Sequence, residues 1–192
     1  MVRVFLVGMD GKPSMGETLC ATLQPILPLT YLGNHQYRDF GASPQLELID
    51  TDELTVLNTP ASILVLKPKA NLRKLEAIAP DTIVILDSAN RRQLQAIARL
   101  HLNVMTVGLS AKDTLTFSSR EEDCAVVSLQ RSVRSLDGTR IEPMEIPCRL
   151  QGKCSEFHVL TAIALLVLCN QAEGKPQITC YGKQEPKKRI GF

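Results

Sequence analysis

Residues 2–26 constrain the fold more than any other stretch of this chain. VRVFLVG, residues 2–8, is a short apolar run rich in β-branched residues and closed by glycine, the pattern of a strand buried on both faces of a parallel sheet. Directly after it, Met15, Leu19, Leu23 and Ile26 recur at steps of three and four. That spacing predicts a helix with one apolar face, stopped at Pro25 or Pro28. Between strand and helix lies GMDGKPS, residues 8–14, where Gly8, Gly11 and Lys12 stand in the context that a phosphate-binding loop requires.

Such a loop folds tightly at its glycines so that backbone N–H groups face the phosphates, and the helix N-terminus adds positive potential. A lysine neutralises the outer phosphates, and a Ser or Thr directly after it holds Mg²⁺. Here Pro13 occupies that last position and brings neither a hydroxyl nor an N–H. The hydroxyl of Ser14 comes one residue later, turned by ~100° on a helix start. From these residues alone the segment reads as a phosphate loop, as the remnant of one, or as a plain strand-to-helix turn with proline at the first helical position.

Further along, residues 29–33 predict a second short strand, and the polar, turn-rich NHQYRDFGASPQ (34–45) predicts a loop. After the weakly patterned residues 46–57, SILVLKP (62–68) reads as a strand, NLRKLEAIA (71–79) as a helix and DTIVILD (81–87) as a strand. NRRQLQAIARL (90–100) follows as a helix capped by Asn90, and NVMTVG (103–108) as another strand. Strands alternating with helices imply a parallel sheet with crossover connections. From residue 113 strand-like segments follow one another without helices, with an Asp-Gly turn in SLDGT (135–139). An apolar helix from Ser155 to about residue 170 and a last strand in PQITCYG (176–182) precede a basic tail.

The 192 residues suffice for one α/β domain. A near balance of 22 basic and 20 acidic side chains, net +2, gives no reason to expect nucleic acid or an anionic membrane as partner. The longest apolar run, residues 159–169, is too short to span a bilayer, which takes roughly 20 residues. Six cysteines without a C-x-x-C pair, and an N-terminus without the build of a signal peptide, imply free thiols and a cytoplasmic protein.

The order of elements and two motifs together resemble the central, ATP-binding domain of the Mur ligases, the amide-forming enzymes of peptidoglycan synthesis, and of the related folylpolyglutamate synthases. In that family a strand leads into G-T-N-G-K-[ST]-[ST]; GMDGKPS is similar, with Asp10 in place of the Asn and Pro13 in place of the first hydroxyl residue. VMTVGLSAKDTLTFSS (104–119) resembles the family's strand ending in a Gly, followed by the strands that start its small antiparallel section. IPCRLQGKCSEFHVLTAIALL (146–166) is similar to the segment G-x-H-N-x-x-N-a-x-A-A, whose asparagines help to hold the base. Gly152 matches, while Cys154, Ser155 and His158 replace the His and the two Asn. LVLKPKANLRKLEAIAPDTIVILDSAN (64–90) stands where the family carries a metal-binding Glu, a D-H-L-D segment and a carbamylated Lys, and it contains no His.

The resemblance implies an α/β, P-loop-type parallel sheet flanked by helices, with a small antiparallel β extension. Residues 1–182 form one Mur-like domain, divided into a parallel part (1–108) and an antiparallel extension with its packing helix (109–182), and residues 183–192 form the tail. It further implies a nucleotide or phosphate site lined by Gly8, Asp10, Gly11, Lys12 and Ser14, with ATP or another phosphate compound as ligand and weak support for Mg²⁺. The expected function is that of a non-catalytic or regulatory Mur-like protein. The alternatives are an ATP-dependent ligase component completed by partner chains, and a protein-interaction scaffold that binds no nucleotide.

No further chemistry is legible. His35, His101 and His158 are scattered, without metal-ligand spacing, and His158 is expected to pack on the helix after Ser155. Cys148 and Cys154 flank Gly152 and read as small buried hydrophobes. DTDE (50–53) reads as a solvated acidic loop. No G-x-S-x-G elbow occurs, so neither catalytic nor metal-ligating residues are assigned.

Overall fold

Apolar residues on consecutive positions of Val2–Val7 (β1), Ser62–Leu66 (β6) and Ile83–Asp87 (β8) point alternately into two cores, which is why these strands read as unbroken apolar runs. Val4, Leu6, Ile63, Val65 and Ile85 face the larger core; Val7, Leu64, Leu66, Val84 and Leu86 face the smaller one. The computed structural model describes residues 1–174 and 177–183. Residues 184–192 of the expected basic tail, and Pro176 at the start of the expected last strand, lie outside the described residues.

The remaining strands are Leu29–Gly33 (β2), Gln36–Phe40 (β3), Leu46–Thr51 (β4), Val56–Leu57 (β5), Ala77–Ile78 (β7), Asn103–Val107 (β9) and Leu115–Arg120 (β10). Cys124–Leu129 (β11), Val133–Arg134 (β12), Arg140–Ile141 (β13), Met144–Gln151 (β14) and Ile178–Tyr181 (β15) complete the set. The helices are Met15–Leu23 (α1), Arg91–Ala98 (α2) and Glu156–Leu168 (α3). Eleven strands join in one sheet, in the order β15-β14-β11-β10-β9-β8-β6-β1-β4-β2-β3. Nine of them run in one direction, and only β3 and β11 oppose their neighbours. The fold is therefore α/β, mostly parallel; within this sheet antiparallel pairing is confined to the β2–β3 hairpin and to β10–β11–β14, and β12 and β13 form a separate antiparallel pair.

α1 and α3 cover the larger core and α2 the smaller one. All of Phe157–Leu168 is buried, because α3 packs on α1 and on β8, β9 and β10 while the sheet curls around it. A helix that is apolar all round needs such enclosure. The curl carries β15, seven strands away from β1, back against α1, where the Tyr181 N–H donates to Thr22 Oγ1 at 3.0 Å. No described helix is long and apolar enough to cross a membrane.

Two expectations are corrected. NLRKLEAIA is not a helix: it forms one 3₁₀ turn at Leu72–Lys74 and then β7, which pairs with β5. Pro80 disfavours helical backbone at Ala79, and the N–H groups of Glu76 and Ala79 find Thr55 O and Leu57 O at 2.8 and 2.7 Å instead. Residues 34–45 are not all loop, since β3 forms a hairpin with β2 across Asn34-His35, both at positive φ (48° and 57°). β3 is an exposed edge strand of mostly polar residues, so it lacks the alternation that marks a half-buried strand.

Candidate functional site

β1 leads into Gly8, whose φ of +123° is open to glycine, and a Cβ there would lie 2.9 Å from the backbone of Ala70. This close approach brings the loop after β6, residues 67–70, beside the loop after β1. The Lys67 N–H extends the sheet ladder to Val7 O at 2.9 Å, and its side chain then turns inward, 1% exposed. Its ammonium pairs with Asp50, at the end of β4 and 8% exposed, and with Asp10 Oδ2 at 3.2 Å. Asp50 was expected in a solvated acidic loop; that reading fails because the carboxylate neutralises a buried cation, and a buried charge needs such a partner.

The same cluster governs the start of α1. Asp10 Oδ2 accepts the Met15 N–H at 2.6 Å. Ser14 caps the helix: its Oγ accepts the Glu17 N–H at 3.2 Å, and Glu17 Oε2 accepts the Ser14 N–H at 2.8 Å. Ser14 Oγ also meets Tyr31 Oη at 3.2 Å, and burial pushes the Tyr31 hydroxyl up to about 12. Carboxylates of the chain itself thus satisfy the N–H groups of Ser14 and Met15.

Opposite stands the start of α3. Ser155 caps it by accepting the His158 N–H at 3.3 Å, and Arg120 Nη2 donates to Cys154 O at 3.0 Å. His158 packs against α1, with Nδ1 3.2 Å from Thr18 Oγ1; burial pushes its pKa down to about 4, against an opposing effect of the Tyr181 backbone. The six cysteines are free. Burial raises Cys154, whose thiol lies 3.5 Å from Cys180 O, and a neighbouring Cys148 together with burial raises Cys180, so both stay protonated at neutral pH.

Between these walls lies a cavity of about 560 Å³. Its charged lining is Asp10 with four lysines, Lys67, Lys69, Lys153 and Lys183, set among Met9, Pro13, Met15, Pro68 and Phe157. Lys183, just past β15, brings its Nζ within 3.2 Å of where a Cβ on Gly11 would stand. Of the residues expected from sequence, Asp10 and Gly11 line the cavity. Gly8 lies behind the loop against Ala70, Ser14 is buried in its cap, and Lys12 is exposed between the lining residues Gly11 and Pro13. The four lysines escaped the sequence reading; the signal was faint, a K-P-K triplet directly after an apolar strand and single lysines after two others.

No family model and no curated protein matches the sequence. Solved structures match it over nine-tenths of its length. The fold is that of the Mur ligases. A MurF ligase from Thermotoga maritima in complex with ADP matches with a TM-score of 0.51 at 11% identity, covering 91% of this chain and 48% of that one. MurF from Acinetobacter baumannii gives 0.57 at 12%, covering 90% and 43%. The ligase MPL from Neisseria meningitides, which joins UDP-N-acetylmuramate to L-alanyl-gamma-D-glutamyl-meso-diaminopimelate, gives 0.52 at 12%, covering 90% and 65%. The chain therefore spans about half the length of these Mur ligases, and the likeness extends to the fold.

Among the described residues the lining offers a hard divalent cation few oxygen ligands: Asp10 is its one carboxylate, with Oδ2 held by Lys67 and the Met15 N–H, and the Ser14 hydroxyl is buried in its cap.

Proposed function

We propose that this protein is a Mur-like domain that binds a nucleotide or another phosphate-bearing ligand in the cavity between α1 and α3, without Mg²⁺ and without forming amide bonds itself, so that its role is regulatory. The carrying observation is the lining: among the described residues, four lysines against one carboxylate in an otherwise mostly apolar cavity beside the loop after β1. Such a cavity suits a ligand with an apolar or aromatic body and an anionic group. In this reading the loop of Gly8, Asp10, Gly11, Lys12 and Ser14 forms one wall, Lys12 stands at the rim, and Lys153 and Lys183 receive the phosphate. The apolar side chains Met15 and Phe157 take the body of the ligand.

Amide formation through an acyl phosphate needs charge neutralisation as phosphate builds up negative charge, which metals provide in phosphoryl transfer. The scarcity of oxygen ligands in the described lining speaks against that chemistry in this cavity. Isothermal titration with ATP, ADP and inorganic phosphate, each with and without Mg²⁺, tests the proposal. Binding is expected to be weak and indifferent to Mg²⁺, and to fall about tenfold in the Lys153→Ala/Lys183→Ala variant, a loss of about 1.4 kcal/mol. Tight binding that requires Mg²⁺ would restore the reading of a ligase component. Absence of binding at millimolar ligand would leave the scaffold.

A further inference from the structure

The ion cluster behind the cavity holds one anion more than its cation needs. Lys67 is 1% exposed and Asp50, its short-range partner, 8%; this pair alone balances its charge inside the protein. Asp10 adds a second carboxylate at 3.2 Å, its side chain is 27% exposed, and it belongs to a loop, so it is not sealed in. Its Oδ2 is held by two donors, the Lys67 ammonium and the Met15 N–H, the latter at 2.6 Å on the first turn of α1. A buried ammonium that lines a cavity, an amide donor beside it and a surplus, partly solvated anion bridging the two together describe an anion position that the chain fills from its own sequence.

We propose that the Asp10 carboxylate is a built-in competitor for the phosphate of the ligand: it occupies the position between Lys67 Nζ and the Met15 N–H, and phosphate gains that position when Asp10 swings out. The proposal rests on the reading that the cavity takes a phosphate-bearing ligand. Exchange of one anion for another keeps the charge of the cluster similar, whereas phosphate added beside an undisplaced Asp10 meets a like charge at close range. Because the Ser14 N–H is already taken by Glu17, displacement of Asp10 is what makes the start of α1 available. The resting protein thus binds phosphate through Lys153 and Lys183 alone, and the position at Lys67 is held in reserve.

The test is titration calorimetry of inorganic phosphate and of ADP into wild type, Asp10→Asn and Asp10→Ser, with far-UV circular dichroism as the check of folding. Two substitutions keep the test open should one variant fail to fold. Both variants are expected to bind phosphate at least about tenfold more tightly than wild type. Phosphate should also raise their unfolding midpoint more than that of wild type, by mass action. Equal affinity in wild type and variants overturns the competitor while leaving the phosphate-binding reading intact. Binding in the variants with none in wild type supports the competitor and overturns the proposal that the wild-type protein binds such a ligand unaided. Absence of binding in all three overturns both.

Discussion

Replacing Lys67 with methionine removes one charge while nearly keeping the shape of the side chain, and the structure sets the cost. Lys67 is 1% exposed, and its partners Asp50 and Asp10 are 8% and 27% exposed. The substitution leaves one carboxylate buried and a second partly buried without a cation, and breaking a buried ion pair from one side costs about 3–5 kcal/mol. With an m-value of about 2 kcal/mol/M in urea, the unfolding midpoint should fall by about 2 M. The chain has no tryptophan, so far-UV circular dichroism is the appropriate signal. Adding Asp50→Asn to Lys67→Met should return more than half of the loss, since it removes the orphaned charge rather than supplying a new contact. A loss below about 1 kcal/mol in Lys67→Met, or no recovery in the double variant, would falsify the view that charge neutralisation organises this cluster.

Two further outcomes follow from the same side of the molecule. His158 keeps a pKa of about 4 in the fold against an ordinary 6.5, so the unfolded chain binds the extra proton first and stability drops as pH falls from 6.5 to 4, by about 3 kcal/mol in all. Urea midpoints at pH 7, 5.5 and 4.5 should show this slope in wild type and a flatter one in His158→Gln; identical slopes would remove His158 as the cause. Gly8→Ala forces a Cβ to within 2.9 Å of the Ala70 backbone at a φ of +123°, and should cost about 2 kcal/mol or more, read as a lowered thermal midpoint. An unaffected midpoint would mean that the two loops do not meet as described.

Sequence pattern located the elements whose neighbours could be inferred locally. β1, β6 and β8 are apolar on both faces, α2 is announced by Asn90, and α3 by an apolar run that only an interior could accept. The hairpin at Asn34-His35 was hidden because neither residue is the glycine that marks such turns, and because β3 has no buried face. Residues 71–79 carry Leu72, Leu75 and Ile78 at helical spacing, yet these side chains pack on the smaller core from a 3₁₀ turn and a short strand. Tertiary pairing with β5 overrode local preference there. Within the site, the loop after β1 was legible from its glycines. The lysines that line the cavity with it were not, because Lys67, Lys153 and Lys183 come from three strand ends brought together by the curl of the sheet, a relation that no local window contains.

That curl also fixes when the cavity can exist. His158 meets Thr18 across 140 positions of chain and Tyr181 meets Thr22 across 159, so the wall carried by α1 waits for a wall that the ribosome delivers near the end of the described residues. Long-range closures of this kind come late and are slow relative to local turns and helices. The cavity is consequently a feature of the finished molecule alone: a chain that has built its sheet as far as β9 already owns Asp10 and Lys67, yet has nothing to close over them.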